Sequence, residues 1–271
     1  MAAEILASVI RGGTIESVHR GHFIIVDGKG DTIASAGDPR TVTFFRSAAK
    51  PFQALPFIIG GAADAFGCSE EEIALACASH SGEQRHVRIA KLILDRCGLT
   101  EDYLRCGTHL PFSEKEAERM MRAGEHPTQL HNNCSGKHAA MLAFAKHAGE
   151  DLASYTAIYH PVQQAILKCV GEFAEVSTNE IALAVDGCAA PNFAMPVAAM
   201  AKSFMNLIDP SGFDEKTALA CRRIVSAMTA FPELIGGSER LDTMVMQAAE
   251  GRIISKVGAD GVWLCGVLPS E

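Results

Sequence analysis

Apolar and polar positions change rhythm along this chain, and the changes mark its elements. Near the N-terminus apolar residues fall in short runs at 5–10, 23–26 and 32–34, separated by glycine-containing turns such as "DGKGD" at 27–31. Short runs bounded by turn formers read as strands. From about residue 47 the rhythm lengthens to that of helices. One is predicted to begin near Ser47, with Pro51 in its first turn, where the amide has no intrahelical partner to lose. "SEEE" at 69–72 reads as a capping box leading into 73–79, and residues 83–97 carry helical periodicity through Val87, Ala90, Ile93 and Leu94. "SEKE" at 113–116 reads as a second capping box. Further helices are predicted at 135–148, 161–175, 194–208, 214–230 and 239–249, with strands at 181–185, 252–256 and 262–267. The expected plan is α+β: one mostly antiparallel sheet packed with helices, and a helical block between its strands.

No repeat, low-complexity tract or linker divides the chain, so a single domain over residues 1–271 is expected. Of 271 residues, 48% are hydrophobic and 21% charged, enough to bury a sizeable core. A formal net charge of −8 argues against nucleic acid or an anionic membrane as partner. The apolar run at 55–66 is broken by Pro56, Gly60, Gly61 and Asp64 and is too short to span a bilayer. "MAAEILASVIRGG" has an acid at Glu4 and no basic start, so no signal peptide is expected. Nine scattered cysteines, an odd number, suit a reduced cytoplasmic protein with buried thiols.

Five stretches hold candidate chemistry. In "FFRSAAKPFQALP" (44–56), Ser47 and Lys50 lie one helical turn apart in an apolar frame. Burial would lower the lysine pKa toward neutrality and let it activate the hydroxyl. "CASHSGE" (77–83) ends a helix in hydroxyls, including Ser79. "LHNNCSGKHAAML" (130–142) leads polar residues into an apolar helix, whose first amides suit an anion. "AVDGCAAPNFAMP" (184–196) ends a strand at Asp186-Gly187-Cys188, and "IISKVGADG" (253–261) sets Lys256 and Gly258 in a K-x-G arrangement. Taken singly, each also reads as an ordinary cap, turn or strand end.

Taken together, S-x-x-K, a serine at a neighbouring helix end and K-x-G resemble the set found in serine β-lactamases, penicillin-binding proteins and glutaminases. The ordered segments "ESVHRG" (16–21), "FFRSAAKPFQALP", "CASHSGE", "HNNCSGKHAAML", "DGCAAPNFAMP" and "SKVGADG" are more specific. They resemble the asparaginase II family, the rhizobial-type or class 3 bacterial asparaginases, from about residue 5 to residue 267.

The resemblance implies a homodimer with a serine β-lactamase/glutaminase-like fold that hydrolyses L-asparagine to L-aspartate and ammonia. It implies two Ser–Lys tandems, Ser47 with Lys50 and Ser79 with a further lysine, assigned to Lys256 by its K-x-G context. It implies a zinc ion beside the site on Cys134, Lys137 and Cys188, not essential to the proposed chemistry. The C-x-x-K spacing alone does not point to a metal. Ser47 is the expected nucleophile, with Ser79 and Lys256 relaying protons through an acyl-enzyme. Asp186 suits the substrate ammonium, and Arg46, Lys137 or His138 its α-carboxylate. Family members continue past the equivalent of Glu271 with a Gly-rich strand and a final helix. The domain is therefore expected to lack that segment, leaving a strand edge and apolar surface uncovered. Alternatives are a glutaminase or another β-lactamase-like serine acyl hydrolase, a non-catalytic amino-acid-binding protein, and a thiol- or metal-dependent amidase using Cys134.

Overall fold

Gly12 and Gly13 both take positive φ and turn the chain so that Arg11 pairs with Thr14. That two-residue loop suits the right-handed twist of a hairpin, and it joins β1 (Glu4–Arg11) to β2 (Thr14–Gly21). The structure is a computed structural model describing residues 2–269; residues 1, 270 and 271, the ends of the expected domain, lie outside the described residues. β3 (Phe23–Val26) and β4 (Thr32–Ala36) form a second hairpin, followed by β5 (Val42–Phe44).

A 3₁₀ turn, Arg46–Ala49, runs directly into α1 (Lys50–Ile59), which is buried from Lys50 to Ile58. A helix apolar on all sides belongs at the centre of a fold. Around α1 stand α2 (Ala62–Ala65), α3 (Glu70–Ala76), α4 (Gln84–Arg96), α5 (Glu114–Ala123), α6 (Ser135–Ala148) and α7 (Pro161–Ala174). Next come β6 (Ala182–Val185), β7 (Pro191–Pro196), α8 (Val197–Ile208), α9 (Glu215–Ala230), α10 (Pro232–Ile235), α11 (Leu241–Ala248), β8 (Ile253–Val257) and β9 (Trp263–Val267). Phe52 on α1 meets Phe45, Phe173 and Phe204 with ring centroids 5.6, 5.6 and 5.7 Å away, which ties α1 to α7 and α8.

The α+β plan and the antiparallel pairing hold, but the single sheet does not. Among the described residues the strands form four separate sheets: β1-β2, β3-β4, β5-β7-β6 and β8-β9. The helix expected at 194–208 begins only at Val197, because residues 191–196 pair as β7 between β5 and β6. The Ser69/Glu72 capping box is complete. At 113–116 only half of it forms: Ser113 accepts from the Glu116 amide, while the Glu116 carboxylate turns to Arg119. Apolar residues of the first hairpin, including Ile10 and Ile15, are exposed. No helix among the described residues is long and apolar enough to cross a membrane.

Candidate active site

The small three-stranded sheet aims two chain segments at one place. β5 and β6 both run antiparallel to β7, so they share a direction and their C-terminal ends emerge on the same side. One delivers Arg46 and Ser47, the other Asp186 to Cys188. Arg46 sits at φ +54°, a left-handed conformation that costs a non-glycine residue roughly 1 kcal/mol or more. Its amide donates to Asn192 Oδ1 at 3.0 Å, which holds the bend. Its guanidinium pairs with Asp260 and lies 3.3 Å from Asp186 Oδ1.

Close packing explains two glycines in the candidate segments. A Cβ on Gly136 would stand 2.4 Å from the Leu75 carbonyl oxygen, so only glycine lets the start of α6 meet the end of α3. A Cβ on Gly258 would come within 3.1 Å of Arg46 Cβ and of the Phe45 carbonyl. The glycine of K-x-G thus lets the end of β8 lie against the serine-bearing turn.

These segments line a cleft of about 340 Å³ that includes Arg46, Ser47, Ser79, Asn133, Cys134 and Asp186. Ser79 Oγ lies 3.4 Å from Ser47 Oγ and donates to it, and it accepts from Asn133 Nδ2 at 2.8 Å. The Ser79 amide is already bonded to the Ile235 carbonyl at 2.9 Å. The Ser47 amide, in the first turn of the 3₁₀ segment, has no hydrogen-bond partner among the described residues. Of the two serines, Ser47 therefore carries the free backbone donor.

Lys50 is fully buried, and its Nζ donates to the Asn133 carbonyl at 3.2 Å. Burial lowers its pKa below the ordinary lysine value; Cys134 opposes this, while Lys137 and Lys256 add to it. Lys256 is equally buried but differently partnered. Its Nζ donates to Asp242 Oδ2 at 2.8 Å and to the Val257 carbonyl at 3.1 Å. No hydrogen bond joins it to Ser79 among the described residues.

The other candidates lie on or behind the cleft wall. Cys134 and Cys188 line it, and their sulfurs share a hydrogen bond that raises the Cys134 pKa and lowers that of Cys188. Lys137 Nζ donates to Cys188 Sγ at 3.2 Å. Burial works against the Lys137 charge, but the two sulfurs outweigh it and raise its pKa. His138 is buried behind this layer and does not line the cleft; its Nδ1 meets the Tyr155 hydroxyl at 2.6 Å. Its Nε2 has no hydrogen-bond partner, and burial lowers its pKa. Two sulfurs and an amine suit zinc in donor type, provided the metal displaces the shared thiol proton and the ammonium proton. No group of three or more His, Cys, Asp and Glu side chains gathers as a metal site among the described residues.

Asn133, Asp242, Asn192 and His109 carry no sequence signal of their own. Asn133 lies within "LHNNCSGKHAAML", where nothing in the sequence distinguishes it from Asn132. In the fold, Asn132 bonds the Cys106 carbonyl at 2.9 Å, while Asn133 touches Ser79, Lys50 and His109. His80, within "CASHSGE", is structural: it accepts from the Gly82 amide, its Nε2 meets Ser135 Oγ at 2.9 Å, and burial holds it neutral.

The family model described as L-asparaginase II matches residues 7–271. No curated protein matches the chain. The chain belongs to the L-asparaginase II family, which makes it an asparaginase-type amidohydrolase with a small-molecule substrate.

Proposed function

From that membership we propose that this protein hydrolyses L-asparagine to L-aspartate and ammonia, with Ser47 as nucleophile and Lys50 as its base. The contact between the Ser47 and Ser79 hydroxyls on the cleft wall, with a buried Lys50 bonded to the same Asn133 that bonds Ser79, carries the reading. Lys50 takes the Ser47 proton as Oγ bonds to the side-chain amide carbon. The oxyanion draws on the free Ser47 amide and on the positive end of the helix behind it. The proton held by Lys50 passes through the Ser79 hydroxyl to the departing nitrogen, the C–N bond breaks, and ammonia leaves. Water then cleaves the acyl-enzyme, with Lys50 again as base.

The substrate's two charged α-groups complement Arg46 and Asp186, which already pair with each other. The α-carboxylate meets the guanidinium and the α-ammonium meets the aspartate. Cys134, Cys188 and Lys137 would hold zinc, which when bound supplies a fixed positive charge beside the cleft. The proposal extends to a serine β-lactamase-like fold, a single catalytic domain, a homodimer and a cytoplasmic setting.

Ammonia release from asparagine, glutamine and a chromogenic β-lactam, assayed side by side, tests the reading. Asparagine turnover by the wild type and its loss in Ser47→Ala are expected. Near-full turnover by Ser47→Ala would show that another group attacks.

A further inference from the structure

Lys256 and Asp242 are held more tightly than a lysine acting as a base allows. The Asp242 carboxylate, in the first turn of α11, is buried and gathers donors from one strand. Oδ1 accepts from Ser255 Oγ at 2.8 Å and from the Val257 amide at 2.8 Å. Oδ2 accepts from Lys256 Nζ at 2.8 Å and from the same amide at 3.1 Å. Three consecutive residues of β8 therefore converge on one side chain of another element. Lys256 Nζ faces two acceptors that have no proton to give, Asp242 and the Val257 carbonyl. Two of three ammonium N–H groups are thereby occupied.

Lys50 has no such partner: its described hydrogen bond goes to a backbone carbonyl. We propose that Asp242 is a positioning residue of the active site, holding Lys256 as a fixed ammonium so that only Lys50 acts as a base. The inference rests on reading Lys50 and Lys256 as the two lysines of the site. It alters the second tandem. Lys256 supplies positive charge behind the cleft wall formed by Val257 and Gly258, and the proton traffic runs through Ser79 and Lys50. Titratable groups facing Lys256 come from three elements: Asp242 on α11, Lys50 on α1 and Cys77 at the end of α3. A fixed charge on Lys256 disfavours a second ammonium on Lys50, which keeps the base free of its proton.

The test has two arms on the full chain. In the first, lysine side chains are labelled with ¹³C at Cε, and the Lys256 signal is assigned by its loss in Lys256→Met. The signal is expected to stay at its ammonium position from pH 6 to pH 9, and to move toward the amine position in Asp242→Asn. A wild-type Lys256 that titrates within that range overturns the proposal, whether or not the protein turns over asparagine. In the second arm, Asp242→Asn is expected to lower kcat by roughly 10- to 100-fold with KM changed less than about threefold. Added to Lys256→Met, the same change should have no further effect on kcat. Unchanged kcat in Asp242→Asn, with only a lower melting temperature, would make the pair structural and overturn the proposal. If the wild type releases no ammonia from any amino-acid amide, the functional reading fails alone, because the first arm reads the charge of Lys256 without turnover.

Discussion

Two lysines are buried beside the same cleft, yet their surroundings differ in kind. Lys50 stands at the start of a helix buried from Lys50 to Ile58, near Ala48, Ala49 and Phe52 in the chain, with one backbone carbonyl for its amino group. Lys256 lies on a strand against a carboxylate that also ties down its neighbours. Burial without a counter-charge drives a lysine toward its neutral form, whereas burial against a carboxylate keeps it charged. Equal exposure thus comes with unlike partners, a backbone carbonyl for Lys50 and a carboxylate for Lys256.

Removing each head group should expose this difference most sharply. Lys50→Met is expected to lower kcat by roughly 10²- to 10⁴-fold, the range for a lost general base. The same change should leave the thermal midpoint unchanged or raised, because an apolar side chain suits a site that does not pair its charge. Steady-state kinetics beside calorimetry checks both halves; a large fall in stability would show that the Lys50 charge is satisfied in the fold. Lys256→Met should do the reverse in stability. It leaves Asp242 buried without its cation, at a cost of about 3–5 kcal/mol, measurable by urea denaturation.

The pH dependence sharpens the comparison further. The Lys50 pKa is lowered in the folded chain, so between that pKa and 10.5 the unfolded chain holds a proton that the folded chain has lost. Stability contributed by this group therefore rises with pH through that window, and the penalty is fully present below it. Activity should rise with pH over the same limb as Lys50 becomes a base. Lys50→Met should abolish this stability slope, seen in denaturation curves at several pH values. The smallest effect belongs to the exposed pair Lys91–Asp95, whose side chains are 61% and 49% exposed against 0% and 4% for Lys256–Asp242. Lys91→Ala should change stability by no more than about 0.5 kcal/mol.

Much of the fold was legible because its signals are local. The Ser69/Glu72 box, the helix at 135–148 and the strand at 23–26 all follow from spacing within a few residues. β7 was misread because its apolar residues, closed in by β5 and β6, lack the alternation that marks a half-buried strand. The half-formed box at Ser113 was misread because Arg119 competes for the Glu116 carboxylate. The division into four sheets is a matter of long-range pairing, which no local pattern encodes.

The sequence by itself determined the family and the residue types at the cleft: Ser47 one turn before Lys50, a hydroxyl at Ser79, a lysine two residues before Gly258. Short-range spacing and ordered segments suffice for that. Only the tertiary structure decided what each group can do. It brought the Ser79 and Ser47 hydroxyls together, left the Ser47 amide without a partner among the described residues, and set Asn133 between Ser79 and Lys50. It also gave Lys256 a carboxylate and gave Lys50 none. A buried lysine's charge depends on the groups within a few ångströms of it, and here those groups come from other elements, Asn133 in the turn before α6 for Lys50 and Asp242 on α11 for Lys256.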